Sequence, residues 1–256
     1  MPETNPTACV IIIGNEILSG RIKDENLPYL ASALAARGIP VKEARVIPDV
    51  EAEIVATVNA VRARHTYVFT TGGIGPTHDD ITAASVAAAF GVPCTRHPEA
   101  EKILTAYYGA EANAARMRMA NTPQGASLIP NPVSAAPGFR IGNVHVLAGV
   151  PRIMQAMFDG IAHTLDGGAP VLSRAVSATA REGDIAESLS ALQDAFPGVD
   201  LGSYPFGLGD RIGTCVVGRS TDRSQLDAAI DAVAEMFRSA GLDPSFTDPM
   251  AALQGK

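Results

Sequence analysis

The chain contains no tryptophan, and aromatic residues make up only 5% of its 256 residues. Proteins that bind single-stranded nucleic acid stack the bases on exposed aromatic rings, so this composition disfavours that class. The formal net charge of −7 likewise disfavours a surface that follows a phosphate backbone. We therefore expect no nucleic-acid partner, although backbone N–H groups and a few basic side chains can still bind a small anion.

Cysteine is also scarce, and the three residues present are far apart and form no CxxC pair. An odd, widely spaced set is typical of a reducing compartment and disfavours a disulfide-linked scaffold. The N-terminal residues lack the basic and apolar segments of a signal peptide, and no apolar run approaches the roughly 20 residues of a membrane helix. We expect a cytoplasmic protein that has no membrane partner.

Three common motifs of nucleotide binding and hydrolysis are missing. The sequence has no GxxxxGK(S/T) loop and no GxSxG motif, and its glycine spacing does not match the GxGxxG dinucleotide motif. These absences disfavour P-loop NTPases, α/β-hydrolases and Rossmann-type dinucleotide-binding proteins. The histidines at positions 65, 97, 145 and 163 are scattered, which predicts surface or packing roles rather than a metal site.

Short apolar runs alternate with amphipathic segments over residues 8–165. This alternation predicts parallel βαβ units, and thus an α/β fold whose mostly parallel sheet has helices on both faces. A stretch rich in Pro, Ala and Gly between the last two strands is predicted to be a loop. The predicted strands are 8–13, 41–47, 67–71, 128–129 and 144–147, and the predicted helices are 25–37, 50–64, 80–90, 98–121 and 151–165.

The segment DGGAP at residues 166–170 predicts a domain boundary. Beyond it the pattern is β-α-β-β-α, which predicts a small α+β domain near the lower size limit for an independent core. The predicted domains are residues 1–168 and 169–242, followed by a loose tail at 243–256. The second domain's strands are predicted at 171–179, 199–204 and 211–217, and its helices at 184–196 and 222–240.

The most informative segment is TTGGIGPTHDDIT at residues 70–82. Three glycines directly after a strand allow backbone N–H groups to approach an anion closely. The next helix is predicted to begin within this loop, so its first amides add positive potential. The sequence therefore predicts an anion-binding loop at the mouth of a parallel sheet.

Two adjacent carboxylates, Asp79 and Asp80, stand at the end of this loop. One interpretation is that one of them caps the helix and the other favours its positive end. The other is metal-assisted chemistry, because two carboxylates repel a phosphate unless a divalent cation lies between them. The residues alone favour neither interpretation.

A second polar cluster, GNEILSGR at residues 14–21, follows the first strand as the glycine loop follows the third. Loops at the carboxyl ends of neighbouring parallel strands face one crevice, where ligands bind. Two further turns, residues 131–138 and 147–154, lie beside short strands and are weak evidence by themselves.

In this order and spacing, the four segments resemble the CinA (competence/damage-inducible) family and the N-terminal domain of eukaryotic FAD synthase. Both are similar to the wider MoaB/MogA/MoeA molybdopterin-binding group. The resemblance covers roughly residues 8–165 and, more loosely, the second domain, where GSYP at 202–205 is also CinA-like. It implies a MoaB/MogA-like wound sheet that binds a small nucleotide or pterin. We also expect a homo-oligomer, either a dimer or a trimer.

The resemblance implies two functions from different classes. CinA-like domains are associated with metal-dependent hydrolysis of ADP-ribose, and the FAD synthase relative with hydrolysis of FAD. The MoaB-like relatives imply instead a molybdopterin-binding module of cofactor biosynthesis without hydrolase activity. We favour the pyrophosphatase, with Co²⁺, Mn²⁺ or Mg²⁺ as cofactor, because the Thr-His-Asp-Asp form and the second domain indicate the CinA branch.

The resemblance also implies roles for individual residues. The expected catalytic residues are His78, Asp79 and Asp80, and the expected metal ligands are Glu16, Asp79 and Asp80. The first motif is usually Gly-Asp-Glu in this group, so Asn15 at the middle position weakens a metal role there. The expected ligand-binding residues are Gly14, Asn15, Thr71, Gly72, Gly73, Gly75, Pro76, Thr77, Asn131, Ser134, Gly138, Gly149, Pro151 and Arg152.

Overall fold

The computed structural model describes residues 5–208 and 211–249. The chain forms two compact units, Met1–Ala169 and Pro170–Lys256. No helix in these described ranges is both long enough and apolar enough to cross a membrane.

The first unit is built on a six-stranded sheet with the order β2-β1-β3-β8-β7-β6. The first four strands in this order run parallel, and the last two are antiparallel to their neighbours. Two further strands, β4 and β5, form a separate antiparallel pair. The strands are β1 (Ala8–Ile13), β2 (Val41–Ile47), β3 (Tyr67–Thr71), β4 (Cys94–Arg96), β5 (Asn121–Pro123), β6 (Ser127–Ile129), β7 (Gly138–Ile141) and β8 (Val144–Leu147).

Helices cover both faces of the sheet, because alternate residues of each buried strand point to opposite sides. On one face Ile11 of β1 packs with Ile54 of α3, and on the other Val10 packs with Leu30 of α2 and Phe158 of α7. The predicted α/β arrangement is confirmed. The helices are α1 (Asn15–Leu18), α2 (Asn26–Ala35), α3 (Glu51–Arg62), α4 (Thr82–Phe90), α5 (Pro98–Tyr108), α6 (Ala114–Met117) and α7 (Pro151–Ile161).

The strand register places three polar loops at one edge of the sheet. Thr71, the last residue of β3, pairs with Ile12 of β1 and with Leu147 of β8. The segments that follow these three strands therefore leave the sheet side by side. This is the edge at which the sequence predicted the ligand crevice.

Three predicted elements of this unit need correction. The loop predicted between residues 129 and 144 contains β7, which pairs with β8 across Gly142 and Asn143. Helix α4 begins at Thr82 rather than at residue 80, because residues 77–80 form a turn held by side-chain hydrogen bonds. The single helix predicted over 98–121 consists of α5, α6 and two short 3₁₀ segments.

The second unit is a three-stranded antiparallel sheet with the order β10-β11-β9, packed against two helices. Ile185 of α8 and Phe237 of α9 share one buried core with Val216 of β11. Within the segment predicted as a loose tail, Ser245 exchanges two backbone hydrogen bonds with Ser177, and residues 250–256 lie outside the described residues. The elements are β9 (Leu172–Ala178), α8 (Glu182–Ala195), β10 (Asp200–Leu208), β11 (Arg211–Ser220) and α9 (Arg223–Ser239).

Candidate functional site

A cavity of about 460 Å³ opens at the carboxyl ends of β1, β3 and β8. Its wall combines the segments after these strands with the turn that follows β6. It therefore brings together parts of all four segments that the sequence singled out. The predicted site residues that line it are Glu16, Thr71, Gly72, Gly73, Gly75, Pro76, Asp80, Asn131, Ser134, Gly149 and Pro151.

The glycine loop has a backbone conformation that residues with a side chain rarely adopt. Gly72 and Gly73 have φ of +102° and +68°, in the region that favours glycine. A Cβ at Gly72 would lie 2.1 Å from the Ile13 carbonyl oxygen, and one at Gly73 would lie 2.1 Å from Thr82 Oγ1. The glycines are thus required by contacts within the protein as well as by the approach of a ligand.

Asp80 holds the end of the glycine loop in place through hydrogen bonds from Thr77. Its Oδ2 accepts hydrogen bonds from the backbone N–H of Thr77, at 2.8 Å, and from the Thr77 hydroxyl. The residue before α4 is Ile81, and none of the described side chains caps that helix. The interpretation of an aspartate as the cap of this helix is therefore wrong, and Asp80 instead shapes the loop and faces the cavity.

Asp79 and His78 lie outside the described lining of this cavity. Their side chains are 65% and 94% exposed, and His78 Nδ1 lies 4.0 Å from Asp79 Oδ1. Asp79 is therefore a solvated, ionised carboxylate beside the site rather than within it.

The first polar cluster contributes Glu16 but not its neighbours. Gly14 and Asn15 are missing from the described lining, and the Asn15 side chain is exposed. The Asn15 backbone N–H donates to Asp49 Oδ2 at 2.9 Å. Sequence reasoning missed Asp49, although it follows β2 at the same sheet edge, and this position was a usable signal.

The turn after β6 is held by Asn131. Its Oδ1 accepts from the backbone N–H groups of Val133 and Ser134, and its Nδ2 donates to Ser134 Oγ at 2.8 Å and to the Ala136 carbonyl. These bonds occupy the Asn131 amide, so this side chain positions the turn. The Ser134 hydroxyl accepts from Asn131 and keeps its own hydrogen for a ligand.

The segment after β8 contributes Gly149 and Pro151 to the lining, whereas Arg152 is exposed and absent from the described lining. Gly138 is also outside that lining. A Cβ there would lie 2.2 Å from the Val146 carbonyl oxygen, so Gly138 permits the close pairing of β7 with β8. Direct ligand contact is therefore supported for Gly149 and Pro151 but not for Arg152 and Gly138.

Two buried polar atoms at the cavity have no hydrogen-bond partner among the described residues. They are Oγ1 of Thr71, whose side chain is 1% exposed, and Oδ1 of Asn26, which is 5% exposed. Nearly all buried polar groups in proteins are hydrogen-bonded, and exceptions need an explanation. A bound ligand would supply the missing partners.

The remaining wall is apolar, with a basic residue at its edge. Ile17, Ile22, Val150 and Ile153 line the cavity, and Val150 is 57% exposed. Lys23 is also part of the lining. A cavity lined by both polar groups and apolar side chains suits a ligand that carries both a charged group and a ring system. The sequence did not reveal this wall, because its residues come from two segments that are far apart in the chain.

The structure does not bring together the three predicted metal ligands, Glu16, Asp79 and Asp80. Only Glu16 and Asp80 face the cavity. The Glu16 carboxylate and Asp80 Oδ1 accept no hydrogen bond from the described side chains or backbone. This donor set fits Mg²⁺ or a similar cation, which proteins often hold by one or two carboxylates together with phosphate oxygens of the substrate.

A different cluster has its ligand atoms within 4.8 Å of one another, namely Cys9, Glu43 and His65. Glu43 already accepts from Arg45, Arg64 and His65, and its pKa is lowered to about 2, mainly by the His65 hydrogen bond. Burial raises the pKa of Cys9 to about 12. A protonated thiol beside two guanidinium groups does not fit a cation site.

Family models match both units. Residues 9–167 match the model of a probable molybdopterin binding domain, and residues 170–245 match the middle domain of FAD synthase. A protein of Pyrobaculum calidifontis is 38% identical over 215 residues, which cover 79% of this chain and 82% of that protein.

CinA proteins are among the similar chains. A CinA-like protein of Desulfosudis oleivorans is 32% identical over 207 residues, which cover 75% of this chain and 50% of the relative. The crystal structure of CinA from Thermoplasma acidophilum, a protein described as having unknown function, superposes with a TM-score of 0.60 at 32% identity, covering 62% of this chain and 98% of that one. The chain therefore belongs to the family of probable molybdopterin binding domains, and CinA-like proteins are among its relatives.

Proposed function

We propose that this protein binds a nucleotide pyrophosphate of the ADP-ribose or FAD type in the cavity and hydrolyses it with the help of a divalent metal ion. The observation that carries the proposal is that Glu16 and Asp80 line the same cavity as the glycine loop and the apolar wall. Metal-assisted hydrolysis of a pyrophosphate needs carboxylates, phosphate-binding amides and a surface for the organic part of the substrate.

The polar part of the cavity lining is suited to the phosphates. The Gly72 N–H already donates to the Leu147 carbonyl oxygen, so the N–H groups of Gly73 and Gly75 would donate to the phosphates. The unpartnered Thr71 hydroxyl and the Ser134 hydroxyl are further donors in the lining. Lys23 adds positive charge at the edge. The apolar wall formed by Ile17, Ile22, Val150 and Ile153 would hold the ring system of the ligand.

Glu16 and Asp80 would hold the metal, which when bound polarises a phosphoryl oxygen and activates a water molecule. Asp80 also fixes the loop through Thr77, so that its orientation is set before a substrate enters. The proposal assigns no direct catalytic role to Asp79 or His78, because both lie in solvent beside the cavity.

The two adjacent aspartates provide a matched test. Asp80→Asn and Asp79→Asn each remove one negative charge, but only Asp80 lines the cavity. We expect Asp80→Asn to lower kcat for ADP-ribose by about 100-fold or more, since it removes a metal ligand. The amide oxygen can still accept from Thr77, so the loop stays closed, and nucleotide affinity should be unchanged or higher. Asp79→Asn should change kcat by less than about threefold.

The assay measures AMP release from ADP-ribose and from FAD with Co²⁺, Mn²⁺ or Mg²⁺ and with EDTA. Glu16→Gln should raise the metal concentration needed for half-maximal rate, whereas Asp79→Asn should not. Equal rates for the wild type and Asp80→Asn would contradict the assignment of Asp80.

A second function is favoured by the match of residues 9–167 to a probable molybdopterin binding domain. In that case the same cavity binds a pterin phosphate and no hydrolysis follows. Absence of turnover with every metal, together with tight binding of a molybdopterin compound, would replace the pyrophosphatase proposal by this one.

A further inference from the structure

Asn26 is a buried polar residue at the start of α2 that faces the cavity. It is not needed there as a helix cap, because Asp24 accepts from the backbone N–H groups of Asn26, at 3.3 Å, and of Leu27, at 2.9 Å. The buried amide of Asn26 therefore has another role.

The orientation of this amide is fixed by its one hydrogen bond. Asn26 Nδ2 donates to the Gly149 carbonyl oxygen at 2.8 Å. A backbone carbonyl can only accept, so the NH₂ group must occupy that side and Oδ1 must occupy the other. Oδ1 has no partner among the described residues, and Asn26 is only 5% exposed. The cavity thus contains a buried acceptor that is built to receive an N–H or O–H donor.

The position of Asn26 limits the part of a nucleotide that can supply the donor. Its partner Gly149 packs directly on the glycine loop, since a Cβ built on Gly149 would lie 3.2 Å from the Gly72 Cα. Gly149 therefore lies between Asn26 and the loop assigned to the phosphates. In a 5′-nucleotide the sugar hydroxyls lie closer to the phosphate than the amino group of the base does, because that amino group is at the far end of the molecule.

We propose that Asn26 Oδ1 accepts a hydrogen bond from a ribose hydroxyl and makes the site selective for ribonucleotides over deoxyribonucleotides. This inference rests on the proposed nucleotide-binding function. A site that buries an acceptor for a hydroxyl rejects an analogue without it, because the acceptor then stays unpaired.

The test compares dissociation constants, measured by calorimetry, for AMP, 2′-deoxy-AMP, 3′-deoxy-AMP and purine riboside 5′-monophosphate, which lacks the amino group. We expect one of the two deoxy analogues to bind the wild type about 10- to 100-fold more weakly than AMP. The purine analogue should bind within about twofold of AMP. In Asn26→Leu, the ratio between AMP and the affected deoxy analogue should fall to about two or less.

The ratio of the two dissociation constants distinguishes a hydrogen bond from Asn26 to the ligand from a purely structural role of Asn26. Loss of the bond to Gly149 would weaken all four ligands equally and leave the ratio unchanged, and that result would overturn the proposal. Equal binding of AMP and both deoxy analogues by the wild type would overturn it without any variant, even if Asn26→Leu does not fold. A penalty confined to the purine analogue would also overturn it, while leaving the proposed function intact. If AMP does not bind although ADP-ribose is hydrolysed, this inference alone fails. If AMP does not bind and ADP-ribose is not hydrolysed, the proposed function fails with it.

Discussion

The strongest prediction on the loop concerns Gly73, because a second glycine in the same unit supplies a matched control. Gly73 and Gly91 have φ of +68° and +67°. A Cβ at Gly73 would lie 2.1 Å from Thr82 Oγ1, whereas one at Gly91, the residue after α4, would meet no atom within 4 Å. Substitution by alanine therefore adds the same backbone strain at both positions, but adds a collision only at Gly73.

The expected magnitudes follow from these contacts. Alanine in the left-handed region costs about 1–2 kcal/mol, which is the whole effect expected for Gly91→Ala. At Gly73 the Thr82 side chain must also move, and its buried hydroxyl donates to the Gly72 carbonyl at 3.0 Å. Loss of that bond inside the protein costs about 1–3 kcal/mol more. Gly73→Ala should therefore lower the free energy of unfolding by about 2–5 kcal/mol.

Urea denaturation of the first unit measures these differences, and a double-mutant cycle with Thr82→Ala isolates the collision. In the Thr82→Ala background, Gly73→Ala should cost only the strain of about 1–2 kcal/mol, although the Thr82 Cβ at 3.2 Å remains a tight contact. Gly73→Ala should also lose nucleotide binding, whereas Gly91→Ala should keep it. Equal destabilisation by the two alanines, or a cycle without coupling, would refute the reasoning.

Three further predictions concern pH, thiols and domains. Burial lowers the pKa of His145 from 6.5 to about 4, so between these pH values the unfolded chain binds a proton that the folded chain does not. Through His145 the free energy of unfolding should therefore fall by about 3 kcal/mol from pH 6.5 to 4. The same dependence of the free energy of unfolding on pH in His145→Phe would contradict this. In the native protein a thiol reagent should modify Cys94, which is exposed, before the buried Cys9 and Cys215, and all three should react in denaturant. A fragment ending at Ala169 should fold and bind nucleotide, since residues 166–168 hydrogen-bond to Tyr67 and to the Arg37 carbonyl. A fragment that folds but does not bind nucleotide would place part of the site in the second unit.

Periodicity predicted the elements that bury a continuous apolar surface. Strands β1, β2 and β3 and helix α7 are found where the pattern placed them. β1, β3 and α7 contribute buried apolar residues to the core, whereas in β2 only Ile47 is buried. β7, with the sequence GFRI, was missed because glycine and arginine interrupt its apolar pattern and because its formation depends on pairing with β8. A Gly-Asn pair between two apolar runs, here Gly142 and Asn143, is nevertheless a hairpin signal that the sequence contained.

The position of the site followed from topology, but the direction of its side chains did not. Consecutive loops at the carboxyl ends of parallel strands had to meet, and they do. Which of two adjacent aspartates enters the cavity depends on hydrogen bonds from Thr77 that form only in the folded loop. For the same reason the sequence could not single out Asn26, whose orientation depends on Gly149, 123 residues away in the chain.

These side-chain directions also change the interpretation of Asn15, at the position where the resemblance implied an aspartate. A missing carboxylate would weaken the metal site only if position 15 faced the cavity. Asn15 is instead absent from the described lining, and its backbone N–H donates to the carboxylate of Asp49 at 2.9 Å. An aspartate here would place a second negative charge close to Asp49, where the asparagine is neutral. The two carboxylates that face the cavity, Glu16 and Asp80, are both present in this chain. The departure from the usual motif therefore leaves the proposed metal-binding residues unchanged.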